Sequence, residues 1–511
     1  MIQKKTQWKR RILLIILDGY GETKKTRGNA IRLAKKPFID HLWKTYPHTL
    51  LKTDGQAVGI PKGNQGGSEV GHFTMGAGRI VFQTLEQINQ DIASGKFFKN
   101  KILLKAIQNV KKNNSKLHLV GMISDQGVHS DIKHLFALMK LAKQHELKKV
   151  YIHAITDGRD VPEQSACKYI KQLLAQMKQL EIGQIATIIG RYFAMDRDRN
   201  WDRTQKAYEL MTLGKGKNEK NSLQAIKSTY AAKDKSDYYI EPILVSKEGL
   251  VGKKDTIIFF NFRTDRARQL TEAFVNKKFG EFKTHHENVH FVAFGQYTTL
   301  SPVAFPTPKI VNNLGSVCEK NGLKQLRMAE TEKYAHVTYF FNSQIKEPCA
   351  REDRVLIDSP KTKSYAHKPE MSAYELTKEA CRQIDKTKYD LIVLNYANAD
   401  LVGHSGDLKA TIACIQVLDA CLKKLIEKAL EKKYTVLLTA DHGNAEEKLY
   451  KDGSPCPSHS RNPVPFFLIS HPAMEVGLKK GKGLKDITPT ILHLLNIPKP
   501  KEMTGENLID T

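Results

Sequence analysis

The sequence predicts an α/β protein: a mostly parallel sheet sandwiched by helices, with a second α/β domain inserted into it. Short apolar runs such as Ile12-Leu-Leu-Ile-Ile-Leu, Leu391-Ile-Val-Leu-Asn-Tyr and Thr435-Val-Leu-Leu-Thr-Ala lack polar alternation. Such runs belong to strands buried on both faces. Strand-like runs alternate with amphipathic stretches along the chain, the pattern of an α/β protein. The residues that follow the strands also differ between the outer and middle parts of the chain, which points to two domains.

In order, the first run ends at Asp18, and Ser68 follows in the glycine-rich loop Gly66-Gly-Ser-Glu-Val-Gly-His72. Four middle runs come next. Leu117–Ile123 leads into Ser124-Asp-Gln-Gly-Val-His129, and Val150–Ile155 leads into Thr156-Asp-Gly-Arg-Asp160. Ile185–Ile189 leads into Gly190-Arg191, and Ile257–Phe262 leads into Arg263-Thr-Asp-Arg266. After them Leu391–Tyr396 precedes Asp400-Leu-Val-Gly-His404. Helical spacing of Ile412, Ile415, Leu418 and Leu422 predicts an amphipathic helix over Leu408–Lys432. Thr435–Ala440 then precedes Asp441-His442, and His459 lies in a proline-rich loop before Val464-Pro-Phe-Phe-Leu-Ile. Metal-type ligands thus follow the outer strands, whereas the middle ones lead into arginines, with one histidine and several aspartates. The division expected is 1–81 with 309–511 as a metal-binding domain and 82–308 as the insertion, with linkers near Arg79–Gln83 and Ser301–Pro308.

At 511 residues the chain exceeds one ordinary core, and 41% apolar with 26% charged residues is a globular composition. Seven scattered cysteines form no CxxC pair, so no disulfide framework is expected and a reducing cytoplasm suits the chain. The basic start before Leu17 imitates a signal peptide, but its apolar run is only Ile12–Leu17 and ends in Asp18-Gly, as a first strand does. No run approaches a membrane span. The net charge of +27 is spread over the chain, so neither a nucleic-acid nor a membrane partner is expected, although a small polyanionic substrate would be attracted.

Asp18, Ser68, Asp400, His404, Asp441, His442 and His459 combine carboxylates and imidazoles in the way Mn²⁺ or Zn²⁺ sites do. One helical turn would put Asp400 and His404 on a common face. Adjacent Asp441 and His442 are expected to point apart and so serve two ions. A metal pair about 3.5–4 Å apart can clamp both oxygens of an in-line displacement, and a metal-bound hydroxyl becomes a nucleophile near neutral pH. Ser68 has a plainer reading as a helix N-cap. Guanidinium groups match phosphate and carboxylate oxygens bidentately. Arg159, Arg191, Arg197, Arg263 and Arg266, with His129, therefore form a second candidate set, of which about half are expected to touch substrate. Arg191 to Arg203 mixes both charges so densely that some of its pairs must be structural. Lys333 could neutralise a transferring phosphoryl group, its plainer reading being a solvated lysine. The combined reading is phosphoryl transfer.

The motifs Leu17-Asp-Gly-Tyr-Gly, Ser68-Glu-Val-Gly-His, Asp125–His129, Thr156–Asp160, Gly190–Arg203, Asn261–Arg268, Glu330–Asn342, Pro369-Glu-Met-Ser, Asn395–His404 and Asp441–Glu446 occur in one order. Carrying them, the chain closely resembles the 2,3-bisphosphoglycerate-independent phosphoglycerate mutases of the alkaline phosphatase superfamily. That resemblance implies an alkaline-phosphatase-like sheet and interconversion of 3- and 2-phosphoglycerate without 2,3-bisphosphoglycerate. It implies two Mn²⁺ or other divalent ions, one on Asp18, Ser68, Asp441 and His442, the other on Asp400, His404 and His459. Ser68 would become a phosphoserine, and Lys333 would steady the phosphoryl group. His129, Arg159, Asp160, Arg191, Arg197, Arg263 and Arg266 would hold the glycerate, with Asp160 moving a proton. A monomer that closes at the two linkers is the expectation. The chain departs from the family pattern at Asn-Gln-Gly-Gly before Ser68, at Gln126 and Asp131, and at Ser343-Gln344, where two glycines are usual. Two other readings remain: a related metal phosphatase or phosphopentomutase-type enzyme, and a basic binding protein supported by charge alone.

Overall fold

The computed structural model describes residues 11–231, 236–285, 288–307 and 309–510. The basic start of the chain and Pro308 of the second linker lie outside the described residues. The chain divides into two compact units, Met1–Gln83 with Lys309–Thr511, and Thr84–Pro308.

In chain order the first unit opens with β1 (Arg11–Leu17) and β2 (His48–Leu51). The second unit follows with β3 (Leu117–Met122), β4 (Val150–Thr156), β5 (Gln184–Gly190), β6 (Lys217–Asn218), β7 (Ile243–Leu244), β8 (Thr256–Phe259) and β9 (His290–Ala293). The first unit resumes with β10 (Gln325–Glu330), β11 (Glu352–Ile357), β12 (Leu391–Tyr396), β13 (Tyr434–Thr439) and β14 (Val464–Ile469).

The first unit's sheet runs β11-β10-β12-β1-β13-β14-β2. It is parallel as far as β13, and β14 and β2 then pair antiparallel. The unbroken apolar runs of β1, β12, β13 and β14 are buried throughout beyond Arg11, as a sheet covered on both faces requires. The helix Leu408–Glu431 supplies Cys414, Ile415, Leu418, Cys421, Leu422 and Leu425 to that core. Ile412 of the predicted apolar face is only half-buried, at the rim.

The second unit's sheet runs β6-β7-β5-β4-β3-β8-β9, parallel except where β7 meets β5. Its helices are capped locally. The Asn100 side chain accepts from Ile102 N at 2.9 Å ahead of the helix Lys101–Asn113, and Asp131 accepts from Lys133 N at 2.9 Å ahead of Ile132–Gln144. The departure from the family pattern at Asp131 is therefore an N-cap. The run Ile257–Phe262 makes a shorter strand than predicted, ending at Phe259. Beyond it the pairing passes to side chains: Asn261 Oδ1 accepts from Met122 N at 2.9 Å, and the Tyr297 hydroxyl donates to the carbonyls of Phe259 and Asn261. Among the described residues no helix is long and apolar enough to cross a membrane.

Candidate active site

Ligands in open parallel sheets bind beyond the carboxyl ends of the strands. Four adjacent strands of the first unit deliver polar groups there. Lys333 lies in the helix Thr331–Ala335 after β10, and Asp400 in the helix Asn398–Gly403 after β12. Asp18 directly follows β1, and Asp441 and His442 follow β13. Close approach demands glycine at two points. A Cβ on Gly19, whose φ is +74°, would lie 2.7 Å from Asp400 Cα, and one on Gly71 would lie 2.9 Å from Asp441 Cβ.

Gly67 is the N-cap of the helix Ser68–Ala77, with Ser68 its first helical residue, so Ser68 is not the cap that its plainer reading expects. Its hydroxyl is engaged elsewhere. It donates to Asp18 Oδ1 at 2.9 Å, lies 3.0 Å from His442 Nε2 and accepts from Lys333 Nζ at 2.7 Å. Lys333 Nζ also donates to Asp18 Oδ1 at 2.7 Å and Asp400 Oδ2 at 2.6 Å, so it is a buried cation rather than a solvated lysine. Asp400 Oδ1 meets His459 Nε2 at 3.1 Å and His404 Nε2 at 3.2 Å, so the four-residue spacing does bring His404 onto Asp400. Asp441 and His442 do not diverge as their adjacency suggests, since His442 Nε2 lies 3.5 Å from Asp441 Oδ2.

Burial opposes ionisation here, yet opposite charges prevail. The Lys333 ammonium, with His442, holds the Asp18 carboxyl well below the usual carboxylate range, and Lys333 does the same for Asp400. Burial alone would lower Lys333, but Asp18, Asp400 and Asp441 raise it above an ordinary lysine. Against the same burial, Asp441, Asp18 and Asp400 push His442 up to about 10. Asp18, Asp441 and His442 converge closely enough to share a cation, as do Asp400, His442 and His459. Asp441 Oδ2 is buried without a hydrogen-bond donor, so the mixed oxygen and nitrogen set fits a divalent ion.

In the second unit, residues after β5, β4, β3 and β8, again four adjacent strands, form the arginine set. Arg191 Nη1 donates to Asp157 and Asp160, each at 2.6 Å, while Nη2 lies 2.8 Å from His129 Nε2. Since guanidinium only donates, His129 Nε2 accepts and its proton sits on Nδ1, a buried donor without a protein partner. Burial, then Arg191, pushes His129 down to about 4, so the ring is neutral at physiological pH. Asp265 carries both Arg197 and Arg263, each at 2.9 Å, and all of Arg159, Arg197 and Arg263 are exposed. Arg266 donates to Met195 O at 3.2 Å.

Several supporting residues lie inside quoted motifs with no role read for them. Asn395 Nδ2 donates to Asp18 Oδ2 at 2.8 Å and to His72 Nε2 at 3.0 Å. Glu446 accepts from Gly21 N at 3.0 Å, Asn444 N at 2.9 Å and the Ser460 hydroxyl. Asp157 and Asp265 anchor the arginines. For Asp157 and Asp265 the signal was an aspartate set among arginines in Thr156–Asp160 and Asn261–Arg268. Ser343 and Gln344, standing where two glycines are usual, both adopt left-handed φ, 60° and 66°, the conformation glycine takes without strain.

Glu330, fully buried three residues before Lys333, accepts from Ser359 Oγ at 2.8 Å, and burial pushes it up to about 7. A carboxyl raised in the fold stabilises it in acid and loses that contribution as pH rises from about 4.5 through 7. Glu330→Gln should therefore raise stability at pH 8 by roughly 1–3 kcal/mol, with little effect at pH 4. Denaturant melts at the two pH values check this, and equal shifts at both would contradict it.

Residues 88–299 match the family described as BPG-independent PGAM N-terminus (iPGM_N). A Clostridium botulinum (strain Langeland / NCTC 10281 / Type F) protein named 2,3-bisphosphoglycerate-independent phosphoglycerate mutase is 49% identical over 509 residues, 98% of this chain and 99% of its own. The chain belongs to the 2,3-bisphosphoglycerate-independent phosphoglycerate mutase family. Another relative of that name, from Moorella thermoacetica, is 47% identical over 508 residues, 98% of each chain. A crystal structure of Leishmania mexicana phosphoglycerate mutase at low cobalt concentration shares 28% identity at a TM-score of 0.57, covering 99% of this chain and 98% of that one. The resemblance to these mutases read from the motifs thus holds along the chain. Within the stretch that matches the mutase N-terminal family lie His129, Asp160, Arg191 and Arg263, all four following strands of the second unit.

Proposed function

We propose that the chain interconverts 3-phosphoglycerate and 2-phosphoglycerate by two phosphoryl transfers at Ser68, without 2,3-bisphosphoglycerate. The observation that carries this is the Ser68 hydroxyl, held within 3.0 Å of Asp18, His442 and Lys333 in a chain matched end to end by relatives of that name. Asp18, Ser68, Asp441 and His442 would hold one divalent ion, and Asp400, His404 and His459 a second, Mn²⁺ suiting both sets. Bound there, the ions would supply Lewis-acid charge that acidifies the Ser68 hydroxyl and screens phosphoryl oxygens.

Asp18 aims Ser68 Oγ, which gives its proton to solvent water and bonds to phosphorus as the bond from phosphorus to the glycerate oxygen breaks; the proton is recovered when the phosphoryl group leaves Ser68. Asp160 supplies the proton that this leaving oxygen needs. Lys333 Nζ offsets charge on the phosphoryl oxygens during transfer. His129 Nδ1–H and Arg159, Arg191, Arg197, Arg263 and Arg266 keep the glycerate bound while it turns. Its other hydroxyl then loses a proton to Asp160 and takes the phosphoryl group back from Ser68. Water must be kept out meanwhile, since hydrolysis of the phosphoserine would waste it. Because the phosphoryl group waits on Ser68, a bisphosphorylated cofactor has no part to play. The same reading takes the chain as a cytoplasmic monomer, and its seven free cysteines suit a reducing compartment.

The test is mutase activity of chelator-stripped protein, coupled through enolase, with Mn²⁺ restored and 2,3-bisphosphoglycerate omitted. Conversion should return with Mn²⁺ alone. Hydrolysis of a phosphate ester with no conversion would assign the chain to the metal phosphatases instead.

A further inference from the structure

Lys448 poses a physical question that the reaction leaves open. It is completely buried, and its backbone is pinned on both sides, N–H to Gly28 O at 2.8 Å and C=O to Cys456 N at 2.9 Å. A buried ammonium normally faces a carboxylate. This one donates instead to two neutral oxygens, Gly403 O at 2.9 Å and Asn444 Oδ1. An apolar side chain of similar length would fill the space at lower cost.

The neighbouring amide answers the question. Asn444, also fully buried, has an NH₂ edge and a carbonyl edge that could exchange by a simple flip. Lysine can only donate, so Asn444 Oδ1 must face Lys448. The NH₂ edge then faces Asp400 and donates to Oδ1 at 2.9 Å and to the backbone carbonyl at 3.3 Å. In the flipped amide, Oδ1 would oppose both Asp400 oxygens and drive the carboxylate away. The segment that carries Asp400 is tied at its other end too, because Lys448 grips Gly403 O at the close of the helix Asn398–Gly403. Gly403 itself must be glycine, since a Cβ there would lie 2.6 Å from Asn444 Oδ1.

We propose that Lys448 is a positioning residue: it locks the Asn444 amide onto Asp400 and so presents Asp400 Oδ1 to the divalent ion shared with His404 and His459. This rests on the two-ion reading above, and the lysine acts through asparagine without touching ion or substrate. Partners that orient a ligating carboxylate typically change metal affinity by about 10–100-fold when lost.

The test is calorimetric titration of Mn²⁺ into the chelator-stripped full chain, with thermal melts of the same samples. Wild type should take up two ions. Lys448→Met should weaken one of them by about 10–100-fold and leave the other unchanged. Its stripped-state melting temperature should be equal to that of wild type or higher, because a buried charge has gone. Lys448→Gln, which can still donate to Asn444 Oδ1, should restore the affinity, a rescue that simple packing does not predict. Wild-type affinity at both sites in Lys448→Met would overturn the proposal. Should that variant not fold, Asn444→Ala cuts the same link from the other end, and unchanged affinity there overturns it equally. A wild-type chain that binds no Mn²⁺ would overturn the two-ion reading and this inference with it.

Discussion

Ser68→Ala should fold and melt as wild type does, yet lose mutase activity by roughly 10⁴-fold or more, the scale seen when a covalent nucleophile is removed. The hydroxyl donates to Asp18 Oδ1 and accepts from Lys333 Nζ, so its loss leaves both partners still bonded to each other at 2.7 Å. That residual pair is why the fold should survive. Incubation with phosphoglycerate labelled in its phosphoryl group gives a second readout. Acid-quenched wild type should carry label on the peptide containing Ser68, and the alanine variant should carry none. Retained conversion in Ser68→Ala would remove the phosphoserine from the mechanism altogether.

Groups that end a strand were legible in the sequence, and groups that act from within an element were not. Asp18, Asp441 and His442 directly follow apolar runs that could only be buried strands, so strand direction alone gathered them at one sheet edge. Asn395 was different. It sits inside the wholly buried β12, where an asparagine reads as a satisfied core group, and only the register against β1 brings it to Asp18. Lys448 lies in Glu446-Glu-Lys-Leu, which looks like a solvated face, and its burial follows from the loop packing against Gly28 and Gly403. Sheet direction was half legible. The run Val464–Ile469 is plainly a strand, but whether it lies parallel or antiparallel depends on the loop from Asp441 to Asn462, whose course no periodicity reports. The arginines were found by type, but their sorting needed the partners: Arg191 is buried and bound by Asp157 and Asp160, whereas Arg159, Arg197 and Arg263 stay exposed.

Lys333 has two roles in this reading, and one substitution separates them. Its ammonium bonds Asp18 and Asp400 at 2.7 and 2.6 Å, with Asp441 close enough to raise it further. Lys333→Met leaves those buried carboxylates facing each other. Removing one partner of a buried ion pair typically costs about 3–5 kcal/mol. His442, pushed up to about 10, remains as a second cation, so the lower end of that range is expected. Divalent ions would neutralise the same carboxylates, and the loss should therefore shrink when Mn²⁺ is restored. The chelator-stripped variant should melt several degrees below stripped wild type, with the gap closing in Mn²⁺. Catalysis should behave oppositely. Mn²⁺-loaded Lys333→Met should stay roughly 10²–10³-fold slow in kcat, the usual cost of removing one group that stabilises transition-state charge. A melting gap that persists in Mn²⁺ beside a normal kcat would make Lys333 a structural lysine. The crossed pattern, stability restored and rate not, is what a lysine shared between carboxylates and phosphoryl oxygens must give.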